Sequence, residues 1–266
     1  MAAVKRSIDE GNGARHLAVL IDADNAQASV LEGLLAEIAK YGQASVKRIY
    51  GDFTSQRLQS WRQLLLKHSV QLVKQFAYTS GKNATDSALI IDAMDLMYTG
   101  RFDGFCLVSS DSDFTRLTQR LREAGLAVDG FGERKTPDPF VQACDRFVYT
   151  EVLRAAESAP IAFNGKSKAP VAKAKDATPK QSAANEAGLR ALLAQAVEDA
   201  VEDEDGWVTL TAVGSYLANL RPDFDPRLYG QRKLSALIAA RPKWFEIEHR
   251  GAEGSRQYFV RSRLTR

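Results

Sequence analysis

The sequence has few of the residues that build disulfide frameworks, zinc sites or histidine-based active sites. Its 266 residues include only 2 cysteines and 3 histidines. Cys106 and Cys144 are too few for a disulfide framework or a structural zinc site, and we expect both to be small core residues in a reducing cytosol. No histidine supports a Ser-His-Asp triad, and no glycine-rich phosphate-binding loop of a common type occurs.

Long hydrophobic runs are also missing. No apolar stretch is long enough to span a bilayer, and residues 1–16 lack the apolar core of a signal peptide. We therefore expect a cytoplasmic protein with no membrane partner, whose first residues form a short disordered leader. The hydrophobic content of 45% and charged content of 26% are ordinary for a globular chain.

Strand and helix signals alternate from residue 17 to about residue 153. Apolar runs predict strands at residues 16–22, 44–51, 70–77, 105–110 and 126–132. The segments between them carry apolar residues at helical spacing. This alternation predicts an α/β domain with a parallel sheet and helices on both faces.

The composition divides the chain into three parts. We predict a first domain at residues 15–154, a flexible linker rich in Lys, Ala and Pro at residues 155–185, and a second domain at residues 186–263. In the second domain, three predicted helices precede two short strands, and the third helix, at residues 226–240, is broken near Gly230. This is the order of a small winged-helix-like α+β domain.

The net charge of +3 is unevenly distributed. Residues 161–185 hold five lysines and one aspartate, and residues 221–266 hold 11 basic and 5 acidic residues. A basic region of this kind fits a nucleic-acid partner, although a charged face is more often merely solvated.

Acidic residues follow the strands of the predicted sheet. Asp22 ends the first strand, Asp111 and Asp113 follow the run Phe-Cys-Leu-Val-Ser-Ser, and Asp86 lies in the first turn of a long apolar helix. Functional sites in parallel sheets lie beyond the carboxyl ends of the strands. Hard cations such as Mg²⁺ take oxygen ligands, so these four acids are candidates for a divalent-metal site.

Each candidate also has a structural interpretation. Asn25 can orient Asp22, a water or a phosphate through its amide, or cap the first helix, and one residue can do both. Asp86 either binds a metal or complements the helix dipole. Asp111 and Asp113 are equally readable as caps of the helix that follows.

Other polar residues of the first domain have weaker roles. Ser109 and Ser110 can donate hydrogen bonds to a phosphate or to the carboxylates, and Lys82 can hold a backbone phosphate or simply face solvent. Asp92 lies about 240° around the helix from Asp86, so it cannot share the face of Asp86 and is interpreted either as a support for the site residues or as structural.

Three separated motifs resemble the NYN domain, a branch of the PIN-like nucleases, over residues 15–153: Ile-Asp-Ala-Asp-Asn-Ala, Ala-Thr-Asp-Ser-Ala-Leu-Ile-Ile-Asp-Ala-Met-Asp and Leu-Val-Ser-Ser-Asp-Ser-Asp-Phe-Thr-Arg-Leu. The resemblance implies a three-layer PIN-like (Rossmann-like) domain with RNase-type activity that depends on Mg²⁺ or Mn²⁺. The implied metal ligands are Asp22, Asp86 and Asp111, with Asp113 nearby and Asn25 as a polar helper. An acid at Asp24 departs from the family pattern.

The second domain resembles a LOTUS domain, also called OST-HTH, a winged-helix-like RNA-binding module. The residues that carry this resemblance are Gly206-Trp207-Val208, Phe224-Asp225, Tyr229-Gly230, Lys233-Leu234 and Trp244-Phe245-Glu246-Ile247. The resemblance implies an RNA partner, either single-stranded or structured.

Three functions compete on these grounds. The leading hypothesis is a Mg²⁺- or Mn²⁺-dependent endoribonuclease. The second is an RNA-binding regulator whose acidic pocket is vestigial. In it, phosphate contacts come from the basic side chains Arg227, Arg232, Lys233, Arg250 and Arg256, while Tyr229 stacks on a base.

The third hypothesis is a phosphatase of the haloacid dehalogenase kind, prompted by the D-x-D pattern at Asp22. It lacks the usual Thr, since Asn25 stands in that place. A homodimer is possible under any of the three, and nothing in the sequence decides it.

Overall fold

The computed structural model describes residues 14–51, 59–74, 83–157, 179–200, 205–250 and 257–263. The chain divides into two units, Met1–Ala159 and Pro160–Arg266. The linker predicted for residues 155–185 lies largely outside the described residues and stays a prediction.

The first unit alternates strands and helices, as its apolar runs predict. In chain order the elements are β1 (His16–Asp22), α1 (Leu31–Ile38), β2 (Gln43–Gly51), α2 (Gln59–Lys67), β3 (Gln71–Lys74), α3 (Asn83–Tyr98), β4 (Gly104–Val108), α4 (Thr115–Glu123), β5 (Ala127–Gly132), α5 (Asp138–Ala143), β6 (Arg146–Tyr149) and α6 (Thr150–Glu157). Short 3₁₀ helices at Ala28–Val30 and Ser112–Phe114 precede α1 and α4. All neighbouring strands are parallel, in the order β3-β2-β1-β4-β5-β6.

Strand β1 lies inside the sheet and is buried on both faces. Its residues from Leu17 to Asp22 are all buried, as expected for a parallel strand covered by helices on either side. Helices α3, α4 and α5 contribute to the core on one face, and α1, α2 and α6 to the core on the other. The predicted three-layer parallel fold is confirmed.

The sixth strand was not predicted from the sequence. β6 has only four residues, of which Phe147 and Val148 are fully buried, and α6 begins directly after it. So short an apolar run is a weak strand signal on its own. It becomes a strand because Asp129 to Gly132 of β5 provides a hydrogen-bonding partner.

The second unit is a small α+β domain. It contains α7 (Pro179–Asp199), β7 (Val208–Thr209), α8 (Leu210–Leu220), α9 (Leu234–Ala239), β8 (Phe245–Arg250) and β9 (Gln257–Ser262). The strands form an antiparallel sheet in the order β7-β9-β8. Leu193, Val213, Leu217, Leu237 and Val260 are fully buried at its centre. The two-residue strand β7 was not predicted.

The helix predicted at residues 226–240 is divided in two. A 3₁₀ helix at Pro226–Tyr229 ends at Gly230, which has a φ of 76°. Glycine is favoured in this left-handed conformation because it has no Cβ. α9 then begins at Leu234, so the predicted break at Gly230 is present. Among all the described residues, no helix is long and apolar enough to cross a membrane.

Gly130 makes room for side chains packed against β5. A Cβ at this position would lie 2.6 Å from Sγ of Cys144 and 2.6 Å from a ring carbon of Phe147. We expect Gly130→Ala to destabilise the first domain by about 1–3 kcal/mol through overpacking, measured by amide hydrogen exchange across the six-stranded sheet. Gly188→Ala is the control. A Cβ at Gly188 would have no neighbour within 4 Å. The alanine should therefore stabilise α7 by up to about 1 kcal/mol. Unchanged protection in Gly130→Ala would contradict this account.

Candidate functional site

The candidate site lies at the carboxyl edge of the six-stranded sheet. β1 and β4 are parallel neighbours, and Ile21 of β1 lies opposite Val108 of β4. Asp22 directly follows Ile21 and Ser109 directly follows Val108, so these two residues meet at the same edge of the sheet. Asp22 is 0% exposed and Ser109 is 2% exposed. The sheet therefore delivers a buried carboxylate and a buried hydroxyl to one place.

Four donors hold the carboxylate of Asp22. Oδ1 accepts hydrogen bonds from the backbone N–H groups of Asp24 at 3.0 Å and Asn25 at 3.4 Å. Oδ2 accepts from Nδ2 of Asn25 at 2.8 Å and from Oγ of Ser109 at 2.7 Å. These hydrogen bonds pair both oxygens of a carboxylate that has no contact with solvent. The side chain of Asn25 thus orients Asp22 and makes no cap for the 3₁₀ helix after it.

The hydroxyl of Ser109 connects two acids of the site. It donates to Asp22 and accepts from the backbone N–H of Asp111 at 3.1 Å. Asp111 in turn caps the 3₁₀ helix at Ser112–Phe114, since its Oδ1 accepts from the N–H of Asp113 at 3.0 Å. Capping and metal binding are compatible for Asp111, because capping uses one of its two oxygens.

Three carboxylates converge beside this arrangement. Asp86, Asp111 and Asp113 each offer an oxygen atom, and these atoms all lie within 4.8 Å of one another. Asp86 comes from the first turn of α3, and the other two come from the segment after β4. Their oxygens form a ligand set that suits a hard divalent cation such as Mg²⁺ or Mn²⁺. This cluster of three can therefore bind a metal ion.

The charge of the cluster has a measurable consequence at Asp86. Burial raises the pKa of this carboxyl, and the carboxylates of Asp22, Asp111, Asp113 and Asp24 raise it further, to about 6. Like charges disfavour ionisation of a neighbouring acid, and a bound cation would remove the penalty. The electrostatics and the oxygen geometry thus indicate the same kind of ligand.

Other predicted residues of the first domain fall outside this cluster. Asp92 accepts a hydrogen bond from the hydroxyl of Tyr50 at 2.6 Å and pairs with Arg48 at 2.9 Å. It therefore joins α3 to β2. Lys82 lies outside the described residues.

Sequence reasoning missed Glu133, the residue directly after β5. Its backbone N–H donates to Oγ of Ser110 at 2.8 Å, so it lies next to the predicted site. The available signal was an acid at a strand end, the same signal that identified Asp22 and Asp111.

The predicted RNA contacts of the second domain differ in how they are paired. Arg227 bonds to Asp225 at 2.6 Å, and Arg250 bonds to Glu248 at 3.1 Å while lying over the ring of Trp207. Arg232 and Lys233 are both exposed. Tyr229 is half-buried against Phe224, with ring centroids 6.1 Å apart. Arg256 lies outside the described residues.

Comparison with known proteins identifies both units. The family model of the NYN domain matches residues 16–153, and that of the OST-HTH/LOTUS domain matches residues 180–256. No curated protein matches the chain.

Solved structures with similarity to parts of the chain include three bacterial proteins. A protein of unknown function from Vibrio parahaemolyticus is 19% identical, with 52% of this chain and 94% of that one covered and a TM-score of 0.44. An uncharacterized protein from Nitrosomonas europaea is 35% identical over 40% of this chain and 95% of its own, with a TM-score of 0.28. A protein from Chromobacterium violaceum is 31% identical over 29% and 82%, with a TM-score of 0.25.

Asp86 provides a pH-dependent test of the cluster. Its pKa rises from the usual 3.8 to about 6 in the folded protein. The folded state therefore holds the proton more tightly than the unfolded state does. The bound proton therefore favours folding below about pH 4, and this contribution to stability is lost as the pH rises through 6. In EDTA, we expect Asp86→Asn to melt a few degrees above the wild type at about pH 8, with a smaller difference at about pH 5.

The control for this experiment is Asp95→Asn, because Asp95 is an exposed acid on the same helix. Its melting temperature should equal that of the wild type at both pH values. If the cluster holds a divalent cation, added Mn²⁺ should stabilise the wild type more than Asp86→Asn, which lacks one of the three carboxylates. An Asp86→Asn protein that melts below the wild type at about pH 8 in EDTA would contradict the electrostatic account.

Proposed function

The chain belongs to the NYN domain family, and we propose on this basis that it is a divalent-metal-dependent endoribonuclease. It would hydrolyse RNA phosphodiester bonds with Mg²⁺ or Mn²⁺, and its OST-HTH/LOTUS domain would bind the RNA. The observation that carries the proposal is the convergence of Asp86, Asp111 and Asp113 within 4.8 Å at the carboxyl edge of the sheet.

The described residues divide the work of such a site between them. Asp86, Asp111 and Asp113 would bind the cation. Asp22, which the sequence predicts as a ligand, would add its charge instead, because both of its oxygens already accept hydrogen bonds. When bound, the cation would supply an activated water and neutralise charge on the phosphate. Asn25 and Ser109 hold Asp22 in one orientation, and hydrogen bonds of this supporting kind keep a metal site in its productive geometry.

The environment of Asp22 weighs against the phosphatase alternative. A nucleophilic aspartate must reach the phosphorus with one free oxygen, whereas Asp22 is 0% exposed and accepts hydrogen bonds at both oxygens. Asp24, the second acid of the D-x-D pattern, is exposed. The same burial suits a fixed negative charge in a metal site.

Cleavage assays test the catalytic proposal. Purified protein should cleave mixed RNA with Mn²⁺ or Mg²⁺ and lose the activity in EDTA. Asp111→Asn, which removes a ligand, should reduce kcat/KM by at least about 100-fold. Asp22→Asn should reduce it by about 10- to 100-fold, the usual cost of losing a supporting residue of a metal site. Asp95→Asn, which is exposed on α3, should cleave like the wild type.

Full activity in Asp22→Asn would rule out the role of Asp22 in the site. RNA binding without metal-dependent cleavage would favour the RNA-binding regulator instead.

The second domain generates a separate prediction about affinity. Arg232 and Lys233 are exposed basic residues next to α9, whereas Arg261 and Arg263 both pair with Glu246. We expect Arg232→Ala with Lys233→Ala to weaken RNA binding and to reduce the slope of log K against log salt by roughly 1.4, about 0.7 per lost phosphate contact.

The matched control removes the same charge elsewhere in the domain. Arg261→Ala with Arg263→Ala should change the salt slope less, because these side chains already share a carboxylate. Fluorescence anisotropy with a labelled single-stranded RNA at several salt concentrations measures both variants. Equal slopes for the two double variants would show that Arg232 and Lys233 are not the phosphate contacts.

A further inference from the structure

A cavity of about 330 Å³ lies beside the proposed catalytic site. It is lined by the segment after β1, the first turn of α2 and the segment after β5. Ala23, Ala26 and Ala28 provide small apolar walls, and the polar side chains include Asn25, Gln27, Glu133 and Lys135. The lining of the cavity is mainly polar, and its volume is in the range of small-ligand sites.

Two sets of hydrogen bonds connect the cavity to the carboxylates. Asn25 lines it and donates through Nδ2 to Asp22. On the other side, the N–H of Glu133 donates to the hydroxyl of Ser110, whose neighbour Ser109 donates to Asp22. A ligand in the cavity would therefore contact Asn25, which is itself bonded to Asp22. For an RNA substrate of the proposed nuclease, the cavity would hold the nucleotide next to the scissile phosphate.

Hydrogen bonds set the orientation of the polar side chains in the cavity. Nε2 of Gln27 donates to Oε1 of Glu133 at 2.9 Å, and Nζ of Lys135 lies 2.9 Å from Oε2 of the same carboxylate. The hydrogen bond from Lys135 lowers the pKa of Glu133, which therefore stays ionised and keeps the amide of Gln27 in place.

The amide groups consequently present acceptors to a ligand. One N–H of the Gln27 amide donates to Glu133, so its carbonyl oxygen and its second N–H face a ligand. The same holds for Asn25, one N–H of which donates to Asp22. The negative charges of Glu133 and Asp24 favour a hydrogen-bond donor on the ligand over an acceptor, and they disfavour a phosphate in this position.

On the basis of the proposed function, we propose that this cavity is a nucleobase subsite that selects bases carrying an exocyclic amino group. Adenine, cytosine and guanine have such a group, whereas uracil presents a carbonyl oxygen in the place of the amino group of cytosine. Gln27 is the specificity residue, and Glu133 and Lys135 are positioning residues that act through its amide.

Product sequencing from a randomised single-stranded RNA pool, with the full chain and Mn²⁺, tests the selection. At one position flanking the cut, adenine, cytosine and guanine should each exceed uracil by about 3- to 10-fold, the value of one hydrogen bond. Gln27→Leu should reduce this preference to below about 2-fold by lowering kcat/KM for the amino-bearing bases and not for uracil. Gln43→Leu, at the exposed start of β2 on the opposite edge of the sheet, should retain it.

Two results in this assay would overturn the subsite. One is cleavage with the same base preference in Gln27→Leu and the wild type, or with no preference in either. The other is selection that follows the 2′-hydroxyl of the flanking nucleotide, shown by 2′-deoxy substitution at that position. The nuclease assignment would survive both results.

Binding separates failure of the subsite from failure of the nuclease. Titration of the full chain with CMP and UMP in EDTA, followed by ligand-observed NMR, should show CMP binding about 3- to 10-fold tighter than UMP. Gln27→Leu should remove the difference, and Gln43→Leu should keep it. Base-selective binding without any RNA cleavage would preserve the subsite and overturn the nuclease. Equal binding of CMP and UMP to the wild type would overturn the subsite.

Discussion

Parallel pairing of β1 with β4 is the constraint on which the site depends. Because the two strands run in the same direction and in register, their carboxyl ends bring Asp22 and Ser109 together although 87 residues separate them in the chain. The hydroxyl of Ser109 then connects Asp22 to the backbone of Asp111. An antiparallel arrangement would place these groups at opposite edges of the sheet, and Asp22 would not meet Ser109.

The acids of this edge are stabilised in different ways. Asp22 is buried and held by four donors from Asp24, Asn25 and Ser109, so its charge needs no further partner. Asp86 lies at the start of α3, where burial first and then the neighbouring carboxylates raise its pKa. The first kind of environment suits a fixed supporting charge, and the second suits a group that binds a cation.

In the second domain, pairing decides which basic residues are available to a ligand. Arg227 and Arg250 were candidates on charge alone, yet each bonds to an acid two residues away in the chain. Arg232 and Lys233 lie between the 3₁₀ helix and α9, in a segment where Gly230 turns the backbone. A count of charges along the sequence could not distinguish these two groups.

The amino-acid sequence by itself determined the parallel α/β domain, the α+β domain and the strand-end acids, because apolar periodicity and acids after buried runs are local properties. Only the tertiary structure decided which acids lie within reach of one ion, and that Asn25 orients Asp22. It also decided that β6 is a strand and that Glu133 lies beside Gln27. These features depend on contacts between residues distant in the chain, and such contacts exist only after the sheet and its helices have packed.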